Sequence, residues 1–183
     1  QAVGLQRWYG GRLATREYGA RFGYQQALSE GQRVGVELDA RRTESQISNA
    51  YSGWQLGANA TYEHLVGKSM IASASLFARR DLLNADGFSS FNYGVNLGIG
   101  GELPFGLNAG VSASVSRSEF DAPLLLYSTE NRQDWRGFAR AYIGSRKMKF
   151  LGFSPSIDYN YSRVDSNYDL YEMSRHRVNF KFA

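Results

Sequence analysis

From Phe91 to Arg117 the chain alternates with a period of two. Phe91, Tyr93, Val95, Leu97 and Ile99 fall on one parity, and Asn92, Gly94, Asn96, Gly98 and Gly100 on the other. A Leu-Pro-Phe-Gly corner at Leu103 to Gly106 interrupts the pattern. It then resumes with Leu107, Ala109, Val111, Ala113 and Val115 against Asn108, Gly110, Ser112, Ser114 and Ser116. This predicts a hairpin of two strands, each about eleven residues long. Soluble strands usually run about five or six residues, whereas a tilted strand that crosses a bilayer takes about 9–11.

The same period recurs along the chain. Arg33 to Thr43 sets Val34, Val36, Leu38 and Ala40 against Arg33, Gly35, Glu37, Asp39 and Arg41. Trp54 to Leu65, Gln133 to Ser145 and Phe153 to Arg163 divide in the same way, and Met70 to Arg80 less cleanly. Further strands are predicted at Val3 to Tyr9, Tyr18 to Leu28 and about Tyr171 to Phe182. In the last of these, carrying the phase back from Val178 and Phe180 turns Glu172, Ser174 and His176 towards lipid; a bulge near Ser174 is expected to return Tyr171 and Met173 to that face. Short connections centre on positions 30, 67, 105 and 148, the last a basic turn at Arg146 to Lys149; long ones centre on 14, 48, 85, 125 and 167. Strict alternation of short turns and long loops is how outer-membrane barrels are built. The expected fold is all-β: an antiparallel up-and-down transmembrane β-barrel with about ten strands in this chain, forming one domain over residues 1–183.

Composition narrows the alternatives. A mean hydropathy of −0.42 does not count against a barrel, because a barrel strand hides its apolar signal in alternation. The longest apolar run, Ala122 to Tyr127, falls far short of the roughly 20 residues of a spanning helix. With no cysteine, disulfides and thiolate metal sites are excluded. The net charge of +4 is scattered, with no basic cluster of the kind that nucleic-acid binding needs. The chain opens at Gln1 on strand-like residues without a signal peptide, as expected of a processed chain or of a piece of a longer one. A soluble β-sandwich also alternates, but its outer face carries Lys and Glu more often than Gly, Ser and Asn. Here the polar parity is rich in those three, with embedded charges, and aromatics such as Trp54, Phe91 and Trp135 gather near strand ends, as interfacial girdles do.

No catalytic, cofactor or metal set emerges. His64 and His176 are the two histidines, and their strands place them far apart. The candidate lumen-lining residues are Glu37, Asp39, Arg41, Arg136 and Arg140, which either line a conduit or fill the lumen as ion pairs. The candidate client-contact loop is Leu124, Leu125, Leu126 and Tyr127; the bland alternative is packing against neighbouring loops. Outer-membrane lipid is the partner that the alternation implies directly.

Several stretches, taken in order, resemble one family. Trp8-Tyr9-Gly10-Gly11 and Tyr18-Gly19-Ala20-Arg21 resemble the middle of its barrel. Phe150 to Pro155, Tyr159-Asn160-Tyr161, Asp165-Ser166-Asn167, Tyr171 and Arg175-His176-Arg177-Val178 resemble its C-terminal end. The family is the surface lipoprotein assembly modifiers. The resemblance implies an outer-membrane barrel of about fourteen strands behind a periplasmic tetratricopeptide-type helical domain. On that view the helical repeats and about four N-terminal strands are missing here. It also implies a non-enzymatic translocator that delivers lipoproteins to the bacterial cell surface. The surface lipoprotein is then its client, and the outer-membrane assembly machinery is its partner during insertion. That machinery would read a terminal signal like Phe180-x-Phe182, although the chain ends in Ala183. The alternatives are a passive outer-membrane channel or adhesin-type barrel and, third, an omptin-like barrel enzyme using His176 with Asp165 or Asp169.

Overall fold

The computed structural model describes residues 1–145, 147 and 154–182. Ten strands form one antiparallel sheet in sequence order. They are β1 (Ala2–Tyr9), β2 (Arg12–Ser29), β3 (Gln32–Ser45), β4 (Gly53–Val66), β5 (Met70–Leu83), β6 (Ser90–Leu103), β7 (Leu107–Phe120), β8 (Gln133–Ser145), β9 (Pro155–Ser166) and β10 (Met173–Phe182). The fold is all-β and up-and-down, as the alternation predicts. The sheet is open, with β1 and β10 as its edges. No helix among the described residues is long and apolar enough to cross a membrane, a test that says nothing about strands.

The registers fix which residues share a face. Leu38 lies opposite Ala58, Ala58 opposite Ala78, Ala78 opposite Tyr93 and Tyr93 opposite Arg117. One face therefore carries Val36, Leu56, Leu76, Leu97, Val111 and Ile143, all exposed. The other carries the Gly, Ser and Asn parity. Burial is inverted relative to a soluble domain. Tyr168, 5% exposed, is the one buried apolar side chain among the described residues, whereas Glu17, Asp134, Asp158 and five serines are buried. Monomeric soluble proteins rarely expose contiguous apolar patches of more than a few hundred Å². Something other than this chain has to cover the apolar face.

Three expectations need correction. The connection centred on position 14 is not a long loop. Gly10 and Gly11 (φ 55° and 77°) close a two-residue turn, and β2 runs for 18 residues. Left-handed backbone at both central positions matches the twist of a hairpin and suits glycine. The strands from β3 to β7 are 14 residues long rather than about eleven, because polar ends such as Glu44-Ser45 and Asp81 still join the ladders. The less clean β5 does keep Met70, Ala72, Ala74, Leu76 and Ala78 on the apolar face, leaving Ile71 and Phe77 on the polar one.

The last strand has no bulge. Its register to β9 runs unbroken from Met173 opposite Val164 to Phe182 opposite Pro155. Met173 therefore joins the polar face, Ser174 and His176 remain on the apolar one, and Tyr171 closes a short 3-10 turn at Asp169–Tyr171. The polar ring of His176 is accommodated locally, since the Tyr159 hydroxyl lies 2.8 Å from its Nδ1 and Tyr161 packs on it at 4.7 Å. Of the expected basic turn at Arg146 to Lys149, only Lys147 is among the described residues, and of the Phe150 to Pro155 stretch only Ser154 and Pro155.

The remaining connections alternate short and long where they are described. The corner after β6 is a 3-10 turn at Pro104–Gly106 with Phe105 exposed and at φ 66°, uncommon for a residue other than glycine. At the opposite, loop-side margin of the apolar face, Arg42 lies 5.7 Å from the Trp54 ring and Arg117 lies 5.4 Å from that of Trp135. Aromatic bodies with cationic tips suit a boundary between apolar and wet surroundings.

The facing can be tested in lipid vesicles by equilibrium unfolding in urea. Leu97→Arg is expected to cost roughly 2–4 kcal/mol, the range for a cation at the bilayer midplane. Asn96→Arg, on the polar face, should cost far less; equal costs would contradict the facing.

Candidate functional site on the polar face

Alternation leaves the polar face with a floor of very small side chains, and larger side chains from the next strand lie across it. An added Cβ at Gly57 would stand 2.2 Å from Asp39 Oδ1, one at Gly110 2.6 Å from the Tyr142 ring, and one at Gly100 2.8 Å from the Tyr142 hydroxyl. Glycine at these positions lets neighbouring side chains lie flat.

Two charge clusters stand on this face. In the first, on β1 to β4, Arg21 Nε is 3.4 Å from Glu37 Oε1, and Glu17 receives Arg7 at 3.4 Å and Arg41 at 3.9 Å. Arg41 Nε lies 3.3 Å from Asp39 Oδ2 but makes no hydrogen bond, so that contact is Coulombic. Arg33 donates to Glu63 at the turn side. In the second cluster, on β8 and β9, Arg140 donates to Asp158, which also accepts from Asn160. Arg136 Nη2 donates to Asp134 Oδ2 at 3.0 Å.

The five candidate lumen residues therefore do not form one group. Glu37, Asp39 and Arg41 stand together on β3, whereas Arg136 and Arg140 stand on β8, with four strands between. At about 4.8 Å per strand that is roughly 24 Å along the sheet. Each of the five has an opposite charge within 3.9 Å or is hydrogen-bonded to one.

Asp134 is the centre of a node that the sequence did not reveal. Its fully buried carboxylate accepts two bonds from Arg132 (2.9 and 2.6 Å), one from Arg136 and one from Ser166 Oγ at 2.8 Å. The Arg132 guanidinium lies 4.3 Å from the Phe120 ring centroid and 3.4 Å from that of Tyr171. A buried carboxylate is tolerated where each oxygen is paired in this way. One signal was available: Arg132-x-Asp134-x-Arg136 alternates, so in an extended chain all three share a face. Glu17 was missed because its segment read as loop.

From this node the loop at 121–132 is tied to its neighbours. Asp121 N–H donates to Ser89 O at 3.1 Å, and Arg80 pairs with the Asp121 carboxylate. Leu124 N–H donates to Tyr168 Oη at 3.3 Å, and the Tyr168 hydroxyl donates to Glu130 O. Asn167 Nδ2 donates to Asn131 O at 3.0 Å. The four residues of the candidate client-contact loop separate accordingly. Leu124 packs over Gly87, where an added Cβ would meet its Cδ2 at 2.9 Å. Leu125 and Leu126 are 80% and 87% exposed, and Tyr127 is exposed beside them. Packing against neighbouring loops accounts for the first residue and not for the other three.

The histidines are far from any such node. His64 sits at the turn end of β4, stacked 6.5 Å from Tyr62, and His176 lies on the apolar face of β10. Asp165 pairs with Arg163 rather than with His176. No group of three or more metal-capable side chains occurs among the described residues.

Comparison with known proteins adds one finding. A family model described as surface lipoprotein assembly modifier matches residues 3–183. None of the curated proteins or solved structures compared with the chain matches it significantly.

Removing the Asp134 carboxylate should loosen the rim. Asp134→Ala is expected to lower stability by about 1–3 kcal/mol, the cost of leaving buried partners unsatisfied. Limited proteolysis should then cut within 121–132 much faster. Asp165→Ala, which breaks an exposed pair, should change stability by less than about 1 kcal/mol and leave the cleavage rate unchanged.

Proposed function

The chain belongs to the surface lipoprotein assembly modifier family, and we propose that it works in surface lipoprotein assembly as part of an outer-membrane β-barrel that moves the lipoprotein to the cell surface. The observation that carries the membrane part is the inverted burial: an uncovered apolar face with paired charges and small polar residues on the other side. Lipid is the covering that suits such a face, because every backbone group inside the bilayer must then be paired within the sheet. On this reading the polar face is the lumen, the short turns lie in the periplasm and the long loops lie outside.

The open sheet favours further strands between its edges. The lumen side of β1 offers Val3 and Leu5, opposite Gly19 and Glu17. That of β10 offers Arg175, Arg177 and Lys181. Apolar side chains beside cations make a poor seam, so the barrel is better closed by strands outside this chain. The reading is non-enzymatic: the lumen-side carboxylates Glu17, Glu37, Asp39, Glu63, Asp134 and Asp158 are each held by an arginine, and the role of the lumen is to give a polypeptide a polar way past the bilayer or along a seam. The exposed Leu125, Leu126 and Tyr127 are the proposed contact for the emerging client, presented by a loop that is already ordered.

A deletion strain tests this. Surface lipoprotein, read by protease shaving of intact cells, should fall by at least tenfold and be restored by the full-length gene, with small-solute permeability of the outer membrane unchanged. Loss of permeability with surface lipoprotein intact would support a passive channel instead.

A further inference from the structure

The polar face is not electrically uniform. On β2 to β4 cations and anions are matched: Arg21 with Glu37, Arg41 with Glu17 and Asp39, and Arg33 with Glu63. On β8 to β10 they are not. Arg136, Arg140, Arg175, Arg177 and Lys181 face two carboxylates, Asp134 and Asp158, and both are engaged: Asp134 by Arg132 and Arg136, and Asp158 by Arg140, with Lys181 adding a longer-range Coulombic attraction. Arg175 lies opposite Ser162 and Arg177 opposite Asn160, while Lys181 lies opposite Ser156. All three cations are exposed and make no ion pair among the described residues.

We propose that this column on β10 is a binding track for an extended acidic polypeptide segment. Residues 175 and 177 are two positions apart on one strand, so their Cα atoms stand about 6.7 Å apart. That is also the repeat of alternate side chains in an extended peptide, so carboxylates at every second position keep pace with the column. Guanidinium groups pair carboxylates through two parallel hydrogen bonds, and the neutral Ser162 and Asn160 leave those donors free of competition. Anionic lipid headgroups carry the same charge but belong at the apolar face and its margins, whereas this column is on the opposite face. The identity of the peptide rests on the translocator reading above: it is an acidic stretch of the lipoprotein in transit. The binding chemistry does not depend on that reading.

The test uses the full-length protein in detergent micelles and two fluorescent decapeptides, one with Glu at alternate positions and one with Lys. Anisotropy titration should give at least tenfold tighter binding of the Glu peptide, weakening as salt rises. Arg175→Ser/Arg177→Ser/Lys181→Ser should abolish the preference while the barrel keeps its heat-modifiable migration. Arg175→Glu/Arg177→Glu should reverse it. Equal binding of the two peptides by the unsubstituted protein, a Glu-peptide affinity insensitive to salt, or unchanged binding by the folded triple-serine variant would each overturn the proposal. If the strand beyond β10 supplies acids to these cations, the unsubstituted protein will show no preference, which counts against the track. Binding of the Glu peptide in a protein whose deletion leaves surface lipoprotein intact would sustain the track and remove the translocator; transport without peptide preference would do the reverse.

Discussion

A backbone in hydrocarbon must find a partner for every N–H and C=O within the protein, and an antiparallel ladder does this only if long strands stay in register. On the proposed reading, in which the apolar face meets lipid, the rest of this structure depends on that requirement. Between β3 and β8 the registers run without a shift, and a slip by one residue would turn every Leu and Val on the apolar face to the polar one. On that reading the apolar side needs no cover from the protein, and among the described residues the buried side chains are, Tyr168 apart, carboxylates and serines.

The polar face answers the same requirement from the other side. From β2 to β9 charges there are paired across or along strands, as in Arg140 with Asp158 and Arg21 with Glu37. Glycines under Asp39 and Tyr142 let long side chains lie along the sheet instead of standing up from it. At the loop side, where strands no longer constrain the chain, polar contacts hold the chain, and the most buried of them centre on one carboxylate. Asp134 gathers Arg132, Arg136 and Ser166, and the loop at 121–132 is fixed through Tyr168 and Asn167. The apolar tip that this loop presents is thus placed by polar chemistry.

The alternation made the fold legible, since it depends on a period that each strand repeats. Phe91 to Arg117 lies where expected, and the embedded charges Glu63, Arg79, Glu102 and Asp158 all fall on the polar face. Strand ends were harder to place, because polar residues such as Glu44 and Asp81 stay in the ladder with little periodic signal. Gly10-Gly11 read as a strand end because the residues after it are mostly polar, although two adjacent glycines are also what a tight hairpin needs. The bulge expected near Ser174 was to return Tyr171 and Met173 to the apolar face; the register instead runs unbroken, and Tyr159 and Tyr161, from the neighbouring strand, supply partners for His176 on that face. For the candidate lumen residues, parity identifies the shared face, whereas the separation between β3 and β8 depends on the order of strands. The Asp134 node joins residues from two strands and a loop, and only Arg132-x-Asp134-x-Arg136 left a trace of it.

The central claim is that one face of this sheet meets lipid and the other does not. Because the chain contains no cysteine, single cysteines introduced at Leu76, Leu97 and Val111, and at Asn96, Ser112 and Ser114, each give one labelling position. In vesicles, a fluorophore at the first three should be quenched by nitroxide-labelled acyl chains and shielded from iodide, and one at the second three should behave in the opposite way. The same response at both sets would contradict the account.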